Sequence, residues 1–142
     1  SAKGKIYHYE IYHRGYADPF DHPFCWSLPQ TLDVGAMRAA AKRLVGRNDF
    51  RAYSAAGSVE KEDTVRTLRE LSIRVRGNRL RIVAEGEGFL YTMVRSLAGA
   101  LVDVGLGRLK PEDITTILAT KTRTHRVVTA PPQGLFLIKV FY

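Results

Sequence analysis

Arg95 has the surroundings that point most directly to chemistry. It is the only charged residue between Glu87 and Asp103, and most of its neighbours in that stretch are apolar or small. A helix that is apolar all round is a buried helix, so the Arg95 guanidinium is expected to point into the protein. A buried guanidinium needs a carboxylate partner, and no acid in the sequence is an obvious one. The alternative is an arginine at the domain edge whose charged end reaches water.

Other residue types that carry chemistry are present without the spacing that a known site needs. Tyr7, Tyr9 and Tyr12 crowd one strand-like segment, where most tyrosines are packing residues. The four histidines show no metal-ligand spacing. The single cysteine, Cys25, excludes an internal disulfide and argues against a cysteine-based zinc site. No segment resembles a nucleophile elbow or a phosphate-binding glycine loop.

A stripe of arginines lies on a predicted β-hairpin. Residues 71–76 and 79–84 alternate between apolar and polar types and flank the dipeptide Gly77-Asn78, which is typical of a tight hairpin turn. The polar face of this hairpin carries Arg74, Arg76, Arg79 and Arg81. The stripe could contact phosphate groups, or it could be a solvated sheet face, and the alternation favours neither interpretation.

The apolar periodicity predicts the elements that position these residues. We expect a strand at residues 6–12, a helix from the N-cap Asp33 to a stop at Gly46, a long helix at residues 89–104 and a shorter helix after Pro111. Residues 135–142 are apolar on nearly both faces. That pattern predicts a strand that is covered on both sides, as in the middle of a sheet.

The overall composition is that of one globular domain with an excess of positive charge. Of the 142 residues, 45% are hydrophobic and 25% charged, which excludes intrinsic disorder, collagen-like repeats and a disulfide miniprotein. No apolar run approaches the roughly 20 residues of a membrane span. Lysines and arginines number 22 against 14 acids, a formal net charge of +8. That excess favours a nucleic-acid partner only slightly over a well-solvated basic surface.

Five segments, in order along the chain, resemble motifs of the TruA-type tRNA pseudouridine synthases. The two specific ones are residues 88–105, which resemble the long-helix motif of that family, and residues 130–137, which resemble its A-P-x-x-G-L-x-L strand entry. The other three are weaker singly: residues 5–9 resemble K-x-Y-x-Y, residues 46–50 resemble G-x-H-D-F with Asn48 in place of the histidine, and residues 64–68 resemble T-x-R-x-I.

The resemblance assigns roles to individual residues. Tyr7 matches the active-site tyrosine, which stacks on the target base and helps to remove its C5 proton. Arg95 matches the arginine that pairs with the catalytic aspartate, which would be the partner that this sequence lacks. Leu135 and Phe89 match the substrate pocket. As RNA-binding residues we predict Arg66, Arg74, Arg76, Arg79 and Arg81.

One motif of the family has no counterpart in this sequence. The nucleophilic aspartate of the family lies in a G-R-x-D-x-G-V-H-A motif, in a half that precedes all of the matching segments. The start of this chain, at residues 1–3, corresponds to the point at which that first half ends. We therefore expect residues 1–142 to be a single domain, the C-terminal half of such an enzyme, without the half that carries the aspartate.

The resemblance also implies a fold and a function. It implies an α+β fold, in which helices pack on one face of a mostly antiparallel sheet. It implies a cytoplasmic, homodimeric enzyme that isomerises uridine to pseudouridine in the anticodon arm of tRNA, with no cofactor, no metal and no membrane association. This chain alone is expected to be inactive. Two other hypotheses stay open: an RNA-binding module without catalysis, and a structural or dimer-forming domain without a role in RNA binding.

Overall fold

A computed structural model describes residues 3–55 and 63–142 of the chain. The first two residues, which belong to the proposed junction with the family's first half, lie outside the described residues. Six strands and three helices follow one another in the order β1 (Gly4–Tyr12), β2 (Trp26–Ser27), α1 (Val34–Lys42), β3 (Gly46–Asp49), β4 (Val65–Arg76), β5 (Arg79–Gly86), α2 (Met93–Gly105), α3 (Pro111–Thr120) and β6 (Leu135–Phe141).

The strands form one mostly antiparallel sheet in the order β2-β1-β5-β4-β3, and β6 also pairs with β1. Only the short β1–β2 pairing is parallel. The predicted hairpin is confirmed: β4 and β5 are joined at Gly77, whose φ of +58° is a left-handed conformation that glycine adopts without strain. Together with the helices, this sheet confirms the expected α+β fold.

The helices pack on one face of the sheet and share a core with it. Tyr9, Ile73 and Ile82 lie side by side on β1, β4 and β5 and are almost fully buried. They belong to the same apolar cluster as Met37 of α1 and Leu97 of α2. Helix α1 begins as predicted, because the Asp33 carboxylate accepts a hydrogen bond from the Ala36 amide at 3.0 Å. The expected strand at residues 6–12 and the helix after Pro111 are also confirmed.

The start of the long helix was predicted too early. Helix α2 begins at Met93 and not at Phe89, because the backbone of Thr92 has a left-handed φ of +59° and cannot belong to a right-handed helix. Phe89 and Leu90 fit the apolar periodicity because their side chains pack against Tyr7 and into the core. The apolar periodicity reflects burial, and the buried residues here begin before the helix itself does.

The expected cover on both sides of the last strand is also wrong for the described part of the chain. Strand β6 pairs with β1 alone, and its other edge meets no strand among the described residues. Leu137 and Ile138 are 53% and 51% exposed. Ile138 lies at a register shift, since Ile6 pairs with Lys139 and Tyr7 pairs with Leu137. The chain therefore presents an apolar strand at an open sheet edge.

Within the described ranges, no helix has both the length and the apolar character that crossing a membrane requires.

Candidate active site

Tyr7 lies in the middle of β1 and faces the helix side of the sheet. It pairs with Ala84 of β5 and Leu137 of β6, and its ring is partly buried. The ring of Phe89 meets it edge to face, with the centroids 5.1 Å apart and an angle of 82° between the planes. Two residues that the resemblance assigns to the same pocket are thus in direct contact.

Leu135 begins β6 on the same side of the sheet. It pairs with Tyr9, which alternation places on the same face as Tyr7. Leu135 is only partly buried, and it packs against the apolar core. Tyr7, Phe89 and Leu135 therefore lie on the same side of the sheet, beside the open edge that β6 forms.

Arg95 lies in the first turn of α2, on that same side. Its Nε donates a hydrogen bond to the Ala130 carbonyl at 2.8 Å, and the Ala130 amide donates to the Arg95 carbonyl at 2.9 Å. Burial raises the pKa of the Tyr9 hydroxyl, and the positive charge of nearby Arg95 acts in the opposite direction. No carboxylate of the described chain lies within ion-pair distance of the guanidinium, which is only partly buried.

The segment of residues 123–134, here called the strap, holds Ala130 against α2. Its backbone passes so close to the helix that a Cβ on Gly99 would lie 1.8 Å from the Val128 carbonyl oxygen. The Tyr9 hydroxyl donates to the Pro131 carbonyl at 2.6 Å. These contacts explain why the helix face that carries Arg95 has small residues: the strap occupies the space that larger side chains would fill.

Arg123 is a residue of this region that sequence reasoning missed. Its guanidinium is partly buried, and burial lowers its pKa. It contacts Ser96 of α2 and Thr129 of the strap. Spacing gave no signal for it, because its partners are hydroxyl and carbonyl groups that come from three separate segments of the chain.

The arginine stripe lies on the opposite face of the sheet. Arg74 pairs with Arg81 across the hairpin, and Arg76 pairs with Arg79, so all four share one face as predicted. They line a groove of about 460 Å³ together with Glu10, Val75 and Leu80. Alternation along β5 places this groove on the side of the sheet away from Tyr7 and Arg95. The structure thus separates these four predicted RNA-binding residues from the predicted catalytic ones.

Two arginines of the stripe are already paired. Arg79 forms an ion pair with Asp21 at 3.2 Å, and Arg81 forms one with Glu10 at 2.7 Å. Arg74 and Arg76 are exposed and have no acidic partner within the described residues. The positive charge on this face that is not in an ion pair with a described residue therefore comes from Arg74 and Arg76, and not from all four arginines.

Arg66 lies apart from the stripe. Its Nη1 donates to the backbone carbonyls of Asp63 at 2.7 Å and Val65 at 2.8 Å. A Cβ on Gly88 would lie 3.6 Å from the Arg66 Cδ atom, so this arginine packs beside the residue that precedes Phe89. Of the five predicted RNA-binding arginines, Arg66 is the one near the Tyr7 region.

Two further groups with possible chemistry, His13 and Cys25, are buried in the fold. His13 is buried, and its Nδ1 accepts a hydrogen bond from the Leu32 amide at 3.0 Å. Burial is the main reason why its pKa is lowered. Cys25 is a buried free thiol. Across residues 3–55 and 63–142, no three His, Cys, Asp or Glu side chains come together in a way that could hold a metal ion.

Comparison with known proteins finds one family. A family model described as tRNA pseudouridine synthase matches residues 40–142. The chain is 43% identical over its whole length to tRNA pseudouridine synthase A of Thermoanaerobacter sp. (strain X514), and it covers 58% of that relative. It is 44% identical over 140 residues to tRNA pseudouridine synthase A of Pseudothermotoga lettingae, with 98% of this chain and 57% of the relative covered. The chain thus spans somewhat more than half the length of these curated relatives.

Proposed function

Since this chain belongs to the tRNA pseudouridine synthase family, we propose that it is the C-terminal half of an enzyme that isomerises uridine to pseudouridine in the anticodon arm of tRNA. The observation that carries the proposal is Arg95. Its guanidinium lies on the same side of the sheet as Tyr7, and its Nε donates a hydrogen bond to the Ala130 carbonyl. No carboxylate of the described residues forms an ion pair with it. A carboxylate from outside the chain would complete the site.

Arg95 would hold that carboxylate ionised and oriented. A guanidinium beside a carboxylate stabilises the charged form, which is the nucleophilic form. Since its Nε–H is already donated to Ala130, the two terminal nitrogens are the donors that remain for a paired interaction with both carboxylate oxygens. The direction in which Arg95 presents them depends on the strap.

The reaction rearranges one bond and moves one proton. The aspartate would attack C1′ as the bond from C1′ to N1 breaks, the base would rotate, and C5 would then attack C1′, so that the bond from C1′ to C5 forms as the bond from C1′ to the aspartate breaks. C5 then loses a proton and N1 gains one, so the product is an isomer of the substrate. Tyr7 would stack on the base and assist removal of the C5 proton, while Phe89 and Leu135 would close the apolar sides of the pocket. The chemistry uses no cofactor.

The open edge of β6 is where we place the other part of the enzyme. Leu137 and Ile138 are about half exposed there, and the relatives contain further chain, equal to about two-fifths of their length, that this chain does not cover. Apolar side chains at an unpaired strand edge are poorly suited to water. We therefore assign residues 1–142 to one domain, completed at this edge by the aspartate-bearing half.

The uridine must leave its stack to reach Tyr7, and basic residues would hold the surrounding phosphates. Arg66 is the nearest candidate on the Tyr7 side, whereas Arg74, Arg76, Arg79 and Arg81 would contact a more distant part of the tRNA. We also propose that the whole enzyme is a cytoplasmic homodimer. The alternative is an RNA-binding module without catalysis, in which Arg95 would not need the carboxylate that is missing beside it among the described residues.

The test compares this chain with a chimera in which it replaces the matching 58% of the Thermoanaerobacter relative. Tritium release from tRNA labelled at C5 of uridine measures the isomerisation. The chain alone should release no tritium above background, because it lacks the nucleophile, and the chimera should turn over. Turnover by the chain alone would refute the proposal that it is half of an active site, and a folded but inactive chimera would favour the binding module.

A further inference from the structure

Arg123 makes four hydrogen bonds with groups that carry no charge. Its Nη1 donates to the Ser54 carbonyl at 3.0 Å and to the Ser96 hydroxyl at 2.7 Å. Its Nη2 donates to the Val127 carbonyl at 3.3 Å and to the Thr129 hydroxyl at 2.6 Å. Both terminal nitrogens are fully used, since each carries two hydrogens. Arg123 therefore has no terminal donor left for a phosphate of the RNA.

Two of the four partners of Arg123 are the immediate neighbours of the Arg95–Ala130 pair. Ser96 follows Arg95 in α2, and Thr129 precedes Ala130 in the strap. Arg95 and Ala130 exchange two hydrogen bonds, one through the Arg95 side chain and one through its carbonyl. Arg123 thus links the same two segments, α2 and the strap, through the residues next to Arg95 and Ala130.

We propose that Arg123 is a positioning residue: it fixes the strap on α2 and thereby sets the direction in which the Arg95 guanidinium leaves the helix. Arg95 reaches only one acceptor in the described chain, the Ala130 carbonyl, and the position of that carbonyl depends on the strap. Gly99 allows the strap to lie directly on the helix, and Arg123 holds it there. The consequence for catalysis rests on the proposed function, whereas the geometric claim does not.

The first experiment observes Arg95 itself, in the full-length chimera, by the ¹H–¹⁵N signal of its Nε–H. In the unchanged protein this signal should be sharp and slow to exchange with solvent, because the proton is held by Ala130. Thr129→Val, which keeps the shape of the side chain and removes one bond to Arg123, should raise its exchange rate at least about fivefold, and Arg123→Lys more. A matched control is Arg126→Lys, which changes an arginine of the same segment whose partner is Asp113.

The second experiment measures turnover and tRNA affinity of the same proteins. Arg123→Lys should lower kcat by about tenfold or more and leave KM for tRNA within about threefold, since Arg123 has no free terminal donor for RNA. In a background of Arg95→Met the same change should have no further effect on kcat, because Arg123 acts through Arg95.

Three results would overturn the proposal. An Arg95 signal that does not respond to either Thr129→Val or Arg123→Lys shows that the strap does not hold Arg95. A lower melting temperature with unchanged kcat shows that Arg123 is only structural. Losses in kcat that multiply in the double variant show that Arg123 acts independently of Arg95. If the chimera has no synthase activity at all, the proposed function fails, and the Arg95 signal still tests the positioning role.

Discussion

Thr92 has the most strained backbone near the candidate site. Its φ of +59° lies in the left-handed region, which a β-branched residue rarely adopts and which costs about 1–3 kcal/mol. Its hydroxyl oxygen is buried without a hydrogen-bond partner among the described residues. This conformation separates Phe89, which packs on Tyr7, from Arg95 in α2. The strained residue thus lies between the segment that carries Phe89 and the helix that carries Arg95.

We expect Thr92→Gly to stabilise the chain by about 1 kcal/mol, because glycine adopts a positive φ without strain and the unpaired hydroxyl is removed, while the added freedom of the unfolded chain offsets part of the gain. Denaturant unfolding measures the change. The matched control is Thr116→Gly in the interior of α3, where the backbone is right-handed and glycine should lower stability. A loss of stability in both variants would show that the Thr92 conformation carries no strain.

Sequence reasoning singled out Arg95 as a candidate site residue but not Arg123, for a physical reason. Arg95 stands out because a single charge in an apolar helix is unusual, and that signal is local. Arg123 lies in a polar segment, and its importance comes from carbonyl and hydroxyl groups of Ser54, Ser96 and Thr129 that only the fold brings together. An arginine whose hydrogen-bond partners are far apart in the sequence leaves no spacing pattern by which it could be recognised.

At the scale of elements, helix α3 is held at its start by a carboxylate. Asp113 accepts a hydrogen bond from the Lys110 amide at 2.8 Å and pairs with Arg126 at 3.4 Å. The Lys110 amide is the main reason why the pKa of Asp113 is lowered from its ordinary value of 3.8. A lowered pKa means that the ionised carboxylate stabilises the folded state above the ordinary pKa, and that this contribution is lost as the pH falls through the lowered value.

We expect Asp113→Asn to lower the melting temperature at neutral pH, because the charge at the helix start is lost. The difference from the unchanged chain should shrink as the pH falls below the ordinary carboxyl pKa of 3.8 and through the lowered pKa of Asp113, because both side chains are then neutral. Thermal melts across this pH range measure it. Glu112→Gln in the same turn, whose carboxylate has no ion-pair partner in the described chain, should show a smaller change. A difference that persists undiminished at low pH would contradict the role of the charge.

The helices and strands were predicted correctly where the hydrophobic pattern reflects contacts within this chain. Alternation predicted the hairpin, because its two faces meet core and solvent, and the placement of four arginines on one face followed from the period of two. The start of α2 was predicted too early because apolar residues are already buried before the helix begins at Met93. The cover over β6 was wrong for the described chain because its apolar edge is open here. We attribute that open edge to the part of the relatives that this chain does not include.

At the scale of the whole molecule, the arginine stripe and the predicted site residues lie on opposite faces of the sheet. Tyr7, Leu135 and Arg95 lie on the helix side, and the free positive charge of Arg74 and Arg76 lies on the other side. Burial and the nearby Arg81 lower the pKa of His8 on this second face, which disfavours the protonated imidazole there. A tRNA that reaches both faces would have to extend around the sheet edge.

We expect this chain to bind tRNA weakly, with affinity that falls steeply as salt rises and with little sequence preference. The double change Arg74→Gln and Arg76→Gln should reduce the slope of log affinity against log salt by up to about 2, because two phosphate contacts are lost. Filter binding at several salt concentrations measures the slope. The charge-matched control, Lys42→Gln at the end of α1 with Arg47→Gln in the edge strand β3, should change it less. Equal effects of the two pairs would show that only net charge matters.

The central claim is our proposal that Arg95 pairs with a carboxylate from outside the described residues, supplied by the other half of the enzyme. Its most direct test is the turnover of the chimera with Arg95→Met, measured as tritium release together with the Kd for tRNA. We predict that turnover falls by at least about 1,000-fold, since the nucleophile loses its partner and its orientation, while Kd changes less than about threefold. Arg38→Met, which removes another helix arginine that donates to a carbonyl, should leave turnover unchanged. Turnover within about threefold of the unchanged chimera, or a parallel loss of tRNA binding, would contradict the claim.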